Sequence, residues 1–244
     1  MGLEKIALLF FSFYCCNNLA VEYNPGNTVI AFDYHDVFVT MEYNSLIPKI
    51  QNIILETPLI LGLIPNIFFW YDIVHLSNQK KSGEEIIHYL VKNYPILQTH
   101  ESLLSNIAQD LRPIKGMHEL AQSLRDQGYT LYLASNIGSE SLVAQQKIYP
   151  ELFSLFTDCY TPAIDGVKKP DIRYYQGLRS FINEYESNEP HIFFIDDSKK
   201  NIEGARISAQ GIQAFHFTNA DQLQKDLQKE GLVFNVASID EIKI

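Results

Sequence analysis

Cysteine is scarce in this chain of 244 residues, which has only 3. Two of them, Cys15 and Cys16, sit in an apolar N-terminal stretch. If that stretch is removed, Cys159 stands alone, no intrachain disulfide forms, and cysteine usage does not report the compartment. Positive charge is short as well: 19 Lys and Arg against 29 Asp and Glu leave a formal charge of −10. That deficit excludes a general nucleic-acid binder, because phosphate backbones attract basic surfaces. It still allows a local basic pocket for a small anion. With 12 glycines and 10 prolines, and no internal repeat or low-complexity tract, the chain is neither collagen-like nor disordered. What it does have is 46% apolar and 12% aromatic residues. That is enough to bury a core in one large domain, or in a main domain with a smaller insert.

Long hydrophobic runs are also missing. The first twenty residues read as a signal peptide, with Lys5 as a thin charged region, an apolar core from Ile6 to Cys16, and Ala20 as a small residue at the cleavage position. That core is too short to cross a bilayer comfortably. The competing reading is a first strand or helix of the fold. No Leu-Ala-Gly-like triplet precedes Cys15 or Cys16, so a lipoprotein box is not expected. Cleavage would make the protein periplasmic or secreted; without it the protein would be cytoplasmic. A second apolar stretch, Pro58 to Leu76, carries Gly62, Pro65 and Asp72, each costly in a lipid-facing helix. No stable membrane span is expected.

Short β-rich runs recur at Thr28–Phe32, Tyr129–Ala134, His191–Ile195 and Ile212–Phe217, and each reads as a strand buried on both faces. Helical spacing occupies the intervals: Met117–Gln127, followed by Gly128 as its terminator, Asp171–Asn183, and Asn201–Ala209. The alternation predicts an α/β fold, a Rossmann-like parallel sheet with flanking helices, whose ligand site lies beyond the carboxyl ends of the strands. Between the first strand and the next, roughly Ser45 to Arg112, no convincing strand is found. Helices are expected at Ile47–Leu55, within Pro58–Leu76, at Gly83–Lys92 and at Glu101–Leu111. The domain expectation is therefore a core made of 21–44 and 113–244 with a helical cap, 45–112, inserted in it.

The strand ends carry the chemistry. The first runs into Asp33-Tyr34-His35-Asp36, the second into Ser135-Asn136, and the third into Asp196-Asp197-Ser198. A loop, Asp165-Gly166-Val167-Lys168-Lys169-Pro170-Asp171, contributes lysine. Carboxylates of Asp33, Asp196 and Asp197 converging on one point would make a hard oxygen site suited to Mg²⁺. A phosphoryl group there would meet positive charge from the metal and Lys169, and hydrogen-bond donors from Ser135 and loop amides. Asp33 could then attack phosphorus, and water would release phosphate. Taken singly, Asp33 could merely cap a turn and Ser135-Asn136 could merely open a loop; together they point to catalysis. The remaining histidines show no ligand spacing and read as surface or core.

These segments resemble the four motifs of the haloacid dehalogenase (HAD) superfamily of hydrolases, in the branch with a helical cap between motifs one and two. Phe32-Asp33-Tyr34-His35-Asp36-Val37-Phe38 is similar to the first motif and Leu133-Ala134-Ser135-Asn136 to the second. Gly166-Val167-Lys168-Lys169-Pro170-Asp171 is similar to the third, and Ile195-Asp196-Asp197-Ser198 with Asn201 to the fourth. Arg112-Pro113-Ile114-Lys115-Gly116 looks like the return from the cap. The resemblance covers about Thr28 to Phe217. It implies a Mg²⁺-dependent phosphatase hydrolysing a small phosphorylated metabolite through an aspartyl-phosphate on Asp33. It also implies Lys169, rather than Lys168, as the motif lysine, since Lys169 directly precedes Pro170. Ser135, Asn136 and Lys169 would bind the phosphate, with Tyr34 and Asn136 contributing backbone amides. Asp33, Asp196 or Asp197, and the His35 backbone carbonyl would hold the metal, and Asn201 would hold the fourth-motif loop.

One position departs from the pattern. Where phosphatases of this family carry a second Asp that protonates the leaving group, this chain has His35. An imidazole can serve as acid and base, its ordinary pKa lying near neutrality. Asp36 is one position late for the role and should point away. The substitution leaves a second reading open, a catalytically impaired phosphate-binding or interaction protein on the same fold. A metal-free dehalogenase is a third reading, opposed by the paired Asp196-Asp197.

Overall fold

The computed structural model describes residues 23–41, 83–100 and 111–234, and singly Gly62, Asn66, Phe68, Tyr71 and Asp72. The leader at 1–20, the helix expected at Ile47–Leu55, most of Pro58–Leu76 and residues 101–110 lie outside the described residues.

Five short strands form a parallel sheet: β1 (Thr28–Phe32), β4 (Thr130–Ala134), β5 (Asp158–Tyr160), β6 (His191–Asp196) and β7 (Ile212–His216), in the order β5-β4-β1-β6-β7. Strand β1 is central, pairing with β4 through Val29↔Thr130 and with β6 through Thr28↔His191. The chain adds β4 and β5 on one side of β1, then β6 and β7 on the other. The strand order thus reverses at β1, where an α/β sheet leaves a crevice at its carboxyl ends.

Alternation of side chains along the strands fills both faces. Ile30, Phe32, Leu131, Leu133, Phe193 and Ile195 face one core. Val29, Ala31, Tyr132, Ala134, Ile192 and Phe194 face the other. The first core is closed by α2 (Met117–Asp126), α4 (Pro150–Phe153) and α8 (Ala220–Lys229), with α3 (Ser139–Ile148) alongside. The second is closed by α6 (Ile172–Tyr185) and α7 (Lys199–Ile207). The expectation of strands buried on both faces holds for β1 and fails for β7, which is half-buried along most of its length because it is an edge. Gly128 follows α2 with φ +91°, the left-handed turn that ends a helix.

Two strands went unforeseen between the core and the expected cap. They are β2 (Val39–Met41) and β3 (Leu111–Pro113), which pair antiparallel with Met41 opposite Leu111. Leu111 and Arg112, expected in the insert and there helical or without strand structure, are in fact extended. Three residues carry too little periodicity to be read alone, and their pairing partners lie far apart in sequence. Within residues 45–112, α1 (Gly83–Asn93) lies where a helix is expected, and a short 3₁₀ turn follows at Pro95–His100. The short β5 and the turn α5 (Pro162–Asp165) complete the order. No helix among the described residues is long and apolar enough to cross a membrane.

Candidate active site

Strand β1 delivers Asp33 to the end of the sheet, where its amide donates to the Ile195 carbonyl of β6 at 2.8 Å. Its carboxylate turns back to accept the Tyr34 amide at 2.7 Å. Beyond it the chain bends sharply at Asp36, whose φ of +55° is a left-handed conformation that a short polar side chain tolerates. The exposed Asp36 accepts a hydrogen bond from the Thr40 hydroxyl at 2.6 Å.

Lys169 is the centre of the arrangement. Its ammonium lies 2.9 Å from Asp33 Oδ2 and 2.6 Å from Asp196 Oδ2, and donates to the Ala134 carbonyl at 2.9 Å. Those three contacts match the three N–H groups of an ammonium. Its side chain is fully buried, with the Phe194 ring 5.4 Å away. The Asn136 amide clasps the Lys169 backbone, donating to its carbonyl at 3.0 Å and accepting from its N–H at 2.9 Å. Helix α7 approaches this loop closely: a Cβ on Gly204 would fall 2.6 Å from the Pro170 carbonyl. Lys168 is half-buried.

Asp196, at the end of β6, is completely buried. It accepts from the Ser198 amide at 2.8 Å and from Asn201 Nδ2 at 2.9 and 3.1 Å. Burial pushes its carboxyl up to about 6, against the pull of Lys169 and with the help of the Asp33 charge. Burial also raises Asp197, and the charges of Asp33 and Asp36 add to it. Carboxylate oxygens of Asp33, Asp196 and Asp197 lie within 4.8 Å of one another. Three acids around one ammonium leave an excess of negative charge in a water-poor place. That donor set, all hard oxygen, fits a divalent cation such as Mg²⁺.

The Ser135 hydroxyl is buried with no hydrogen-bond partner among the described residues, while its amide is taken up by the Tyr160 carbonyl at 3.1 Å. An orphaned buried hydroxyl costs free energy unless something binds it. His35 is half-buried, its ring edge-on to Tyr34 at 5.3 Å. Burial lowers its pKa, outweighing the opposing pull of the Asp33 and Asp36 carboxylates.

No protein-family profile matches the chain. The solved structures it resembles include the HAD-hydrolase YfnB of Bacillus subtilis, in a magnesium-bound form. The match has a TM-score of 0.57 at 14% identity and covers 83% of this chain and 99% of that one. A HAD family enzyme of Bacteroides thetaiotaomicron gives 0.59 at 17% identity, over 83% and 98%. Its fold is the haloacid dehalogenase fold. A dehalogenase structure shares it too, at a TM-score of 0.52 and 18% identity over 78% and 84%. Among curated proteins, the sesquiterpene phosphatase astK of Aspergillus oryzae is 26% identical over 110 residues, 45% of this chain. The match spans 53% of that relative, about half its length.

Within the HAD fold, the structure draws Asp33, Asp196, Asp197 and Lys169 together, with Asn136 clasped to the lysine backbone, and adds side-chain roles that motif reading passed over. The side chain of Asn136 braces Lys169, and that of Tyr34 reaches a glutamine 111 positions away. No spacing rule signals either contact. Asn201, which the resemblance assigned to the fourth-motif loop, bonds the Asp196 carboxylate across it.

Proposed function

We propose that this protein is a Mg²⁺-dependent phosphatase acting on a small phosphate monoester through an aspartyl-phosphate on Asp33. The observation that carries the reading is the buried Lys169 ammonium held between Asp33 and Asp196, with Asp197 alongside. A cation bound by Asp33, Asp196 or Asp197, and the His35 carbonyl would supply charge neutralisation for the phosphoryl oxygens. Lys169 draws the anionic group in. The unpartnered Ser135 hydroxyl donates to a phosphoryl oxygen, as do the amides around Tyr34 and Asn136.

Asp33 then forms a bond to phosphorus as the ester P–O bond breaks. In its protonated form His35 hands a proton to the departing oxygen and is left as neutral imidazole. In the second half, water loses a proton to His35 and attacks phosphorus; phosphate leaves and the Asp33 carboxylate is restored. The paired acids weigh against a dehalogenase, which needs no metal. Because the Aspergillus relative is named a sesquiterpene phosphatase, sesquiterpene phosphates join sugar phosphates and nucleotides in the substrate panel. Residues 45–112 would act as the cap that selects among them, and 1–20 as an export signal whose removal leaves Val21 as the first residue.

The test is phosphate release from para-nitrophenyl phosphate with Mg²⁺ and with EDTA, for the native protein and Asp33→Asn. Metal-dependent release that vanishes in Asp33→Asn is the expected result. His35→Ala should slow alkyl phosphates about a hundredfold or more and the nitrophenyl ester far less, because nitrophenolate leaves without a proton. The lowered pKa of the half-buried His35 favours a second reading, a phosphate-binding protein with an impaired acid. Silence across the whole panel, with phosphate still bound, would select it.

A further inference from the structure

Helix α3 (Ser139–Ile148) is built inside out. Gln145 is its one fully buried residue among those whose burial is described, only 1% exposed, while the apolar Val143 and Ile148 are 49% and 51% exposed. Burying a glutamine costs free energy unless its amide is bonded. Gln145 accepts a hydrogen bond of 2.8 Å from the hydroxyl of Tyr34, itself completely buried, the residue directly after Asp33.

That bond closes a ring. The Gln145 carbonyl accepts the Tyr149 amide at 2.8 Å, and the Tyr149 hydroxyl donates to the Leu111 carbonyl at 2.6 Å. Leu111 pairs with Met41 across β2 and β3. From Met41 the chain runs back to Phe38 and Val39, whose amides donate to the Tyr34 carbonyl at 2.9 and 3.3 Å. The ring therefore joins the turn bearing Asp33, Tyr34 and His35 to the strand pair flanking residues 42–110.

We propose that Gln145 is a positioning residue, which holds the Asp33–His35 turn in its reactive register by bonding the Tyr34 hydroxyl. The catalytic consequence rests on the phosphatase reading above; the positioning itself does not. Displacing a reacting group by about an ångström costs on the order of a hundredfold in rate. The bond has no contact with substrate, so its loss falls on kcat and leaves KM nearly unchanged.

The experiment uses the full chain and four variants: Tyr34→Phe, Gln145→Leu, the double variant, and Gln145→Glu, which retains an acceptor. Each is followed by para-nitrophenyl phosphate turnover, thermal midpoint and amide hydrogen exchange over residues 34–41. Either apolar single variant strands a buried partner and lowers the midpoint. The double variant removes both polar groups and recovers much of that midpoint. In all three, kcat is expected to fall about ten- to hundredfold with KM within about twofold, and exchange over 34–41 to quicken. Gln145→Glu is expected to restore kcat. A double variant with native kcat and native exchange would overturn the proposal, reducing the bond to packing. If the native protein turns over no phosphate ester, the phosphatase reading fails, while exchange over 34–41 still decides whether Gln145 positions the turn.

Discussion

The two faces of the central sheet are filled differently. On the side of α2, α4 and α8, aliphatic side chains and phenylalanines do most of the packing, among them Leu120, Leu124, Leu131, Leu133, Phe193 and Leu227. On the side of α6 and α7, the strands present small residues, Ala31, Ala134 and Ala214, and four tyrosines fill the space. Each phenol there is committed. Tyr132 donates to Glu186, Tyr160 to Asp165, Tyr174 to the Tyr160 carbonyl and Tyr175 to the Asn201 carbonyl. Asp165 and Asn201 belong to the segments that bring Lys169 to the site and hold Asp196. Apart from the Tyr34–Gln145 bond, the first face is held mainly by burial of apolar surface, which is non-directional. The second uses a directional bond from every tyrosine to pin the segments that carry Lys169 and Asp196, so disturbing it should cost activity along with stability.

The largest test of this difference is Leu124→Ala on the apolar face. The completely buried side chain should take about 2–5 kcal/mol of stability with it, read by urea unfolding, while kcat per folded molecule stays native. Next, Mg²⁺ added at about a hundred times its dissociation constant should raise stability by roughly 2.7 kcal/mol. The same addition to a protein with Asp197→Asn should give much less, and an equal gain in both would detach the metal from the acidic cluster. Gly177→Ala strikes the tyrosine face, since the new Cβ would sit 2.0 Å from the Tyr160 hydroxyl and 2.9 Å from Asp165 Oδ2. Overpacking of that kind costs about 1–3 kcal/mol. Here kcat should drop as well, because the loop leading to Lys169 loses its anchor. The smallest effect is expected from Tyr160→Phe. It removes one hydrogen bond of 2.5 Å to Asp165, about 1 kcal/mol, with kcat reduced several-fold. Native kcat in both Gly177→Ala and Tyr160→Phe would erase the distinction between the faces.

Much of the molecule could be read before folding. Continuous apolar runs at Thr28–Phe32 and His191–Ile195 signal strands buried on both faces, and those are β1 and β6, side by side at the centre of the sheet. The acids that follow them had to come together, because parallel neighbours end at the same edge. Asp33, Asp196 and Asp197 meet for that reason, and Lys169 joins them from the loop before α6. Tyr34 and Asn136 were read as donors of backbone amides alone. Their side chains proved to be braces, and a brace is invisible until both ends are placed.

The local chemistry of this protein was therefore set by residues near one another in sequence, namely strand runs, helix periods and the polar residues at strand ends, since those signals come from short-range geometry. Only the tertiary structure decided which distant groups share a hydrogen bond. It put Gln145 beneath the Tyr34 hydroxyl, paired Met41 with Leu111, and buried His35 enough to lower its pKa. Each depends on the exclusion of water and on contacts between segments that meet only when the sheet has formed.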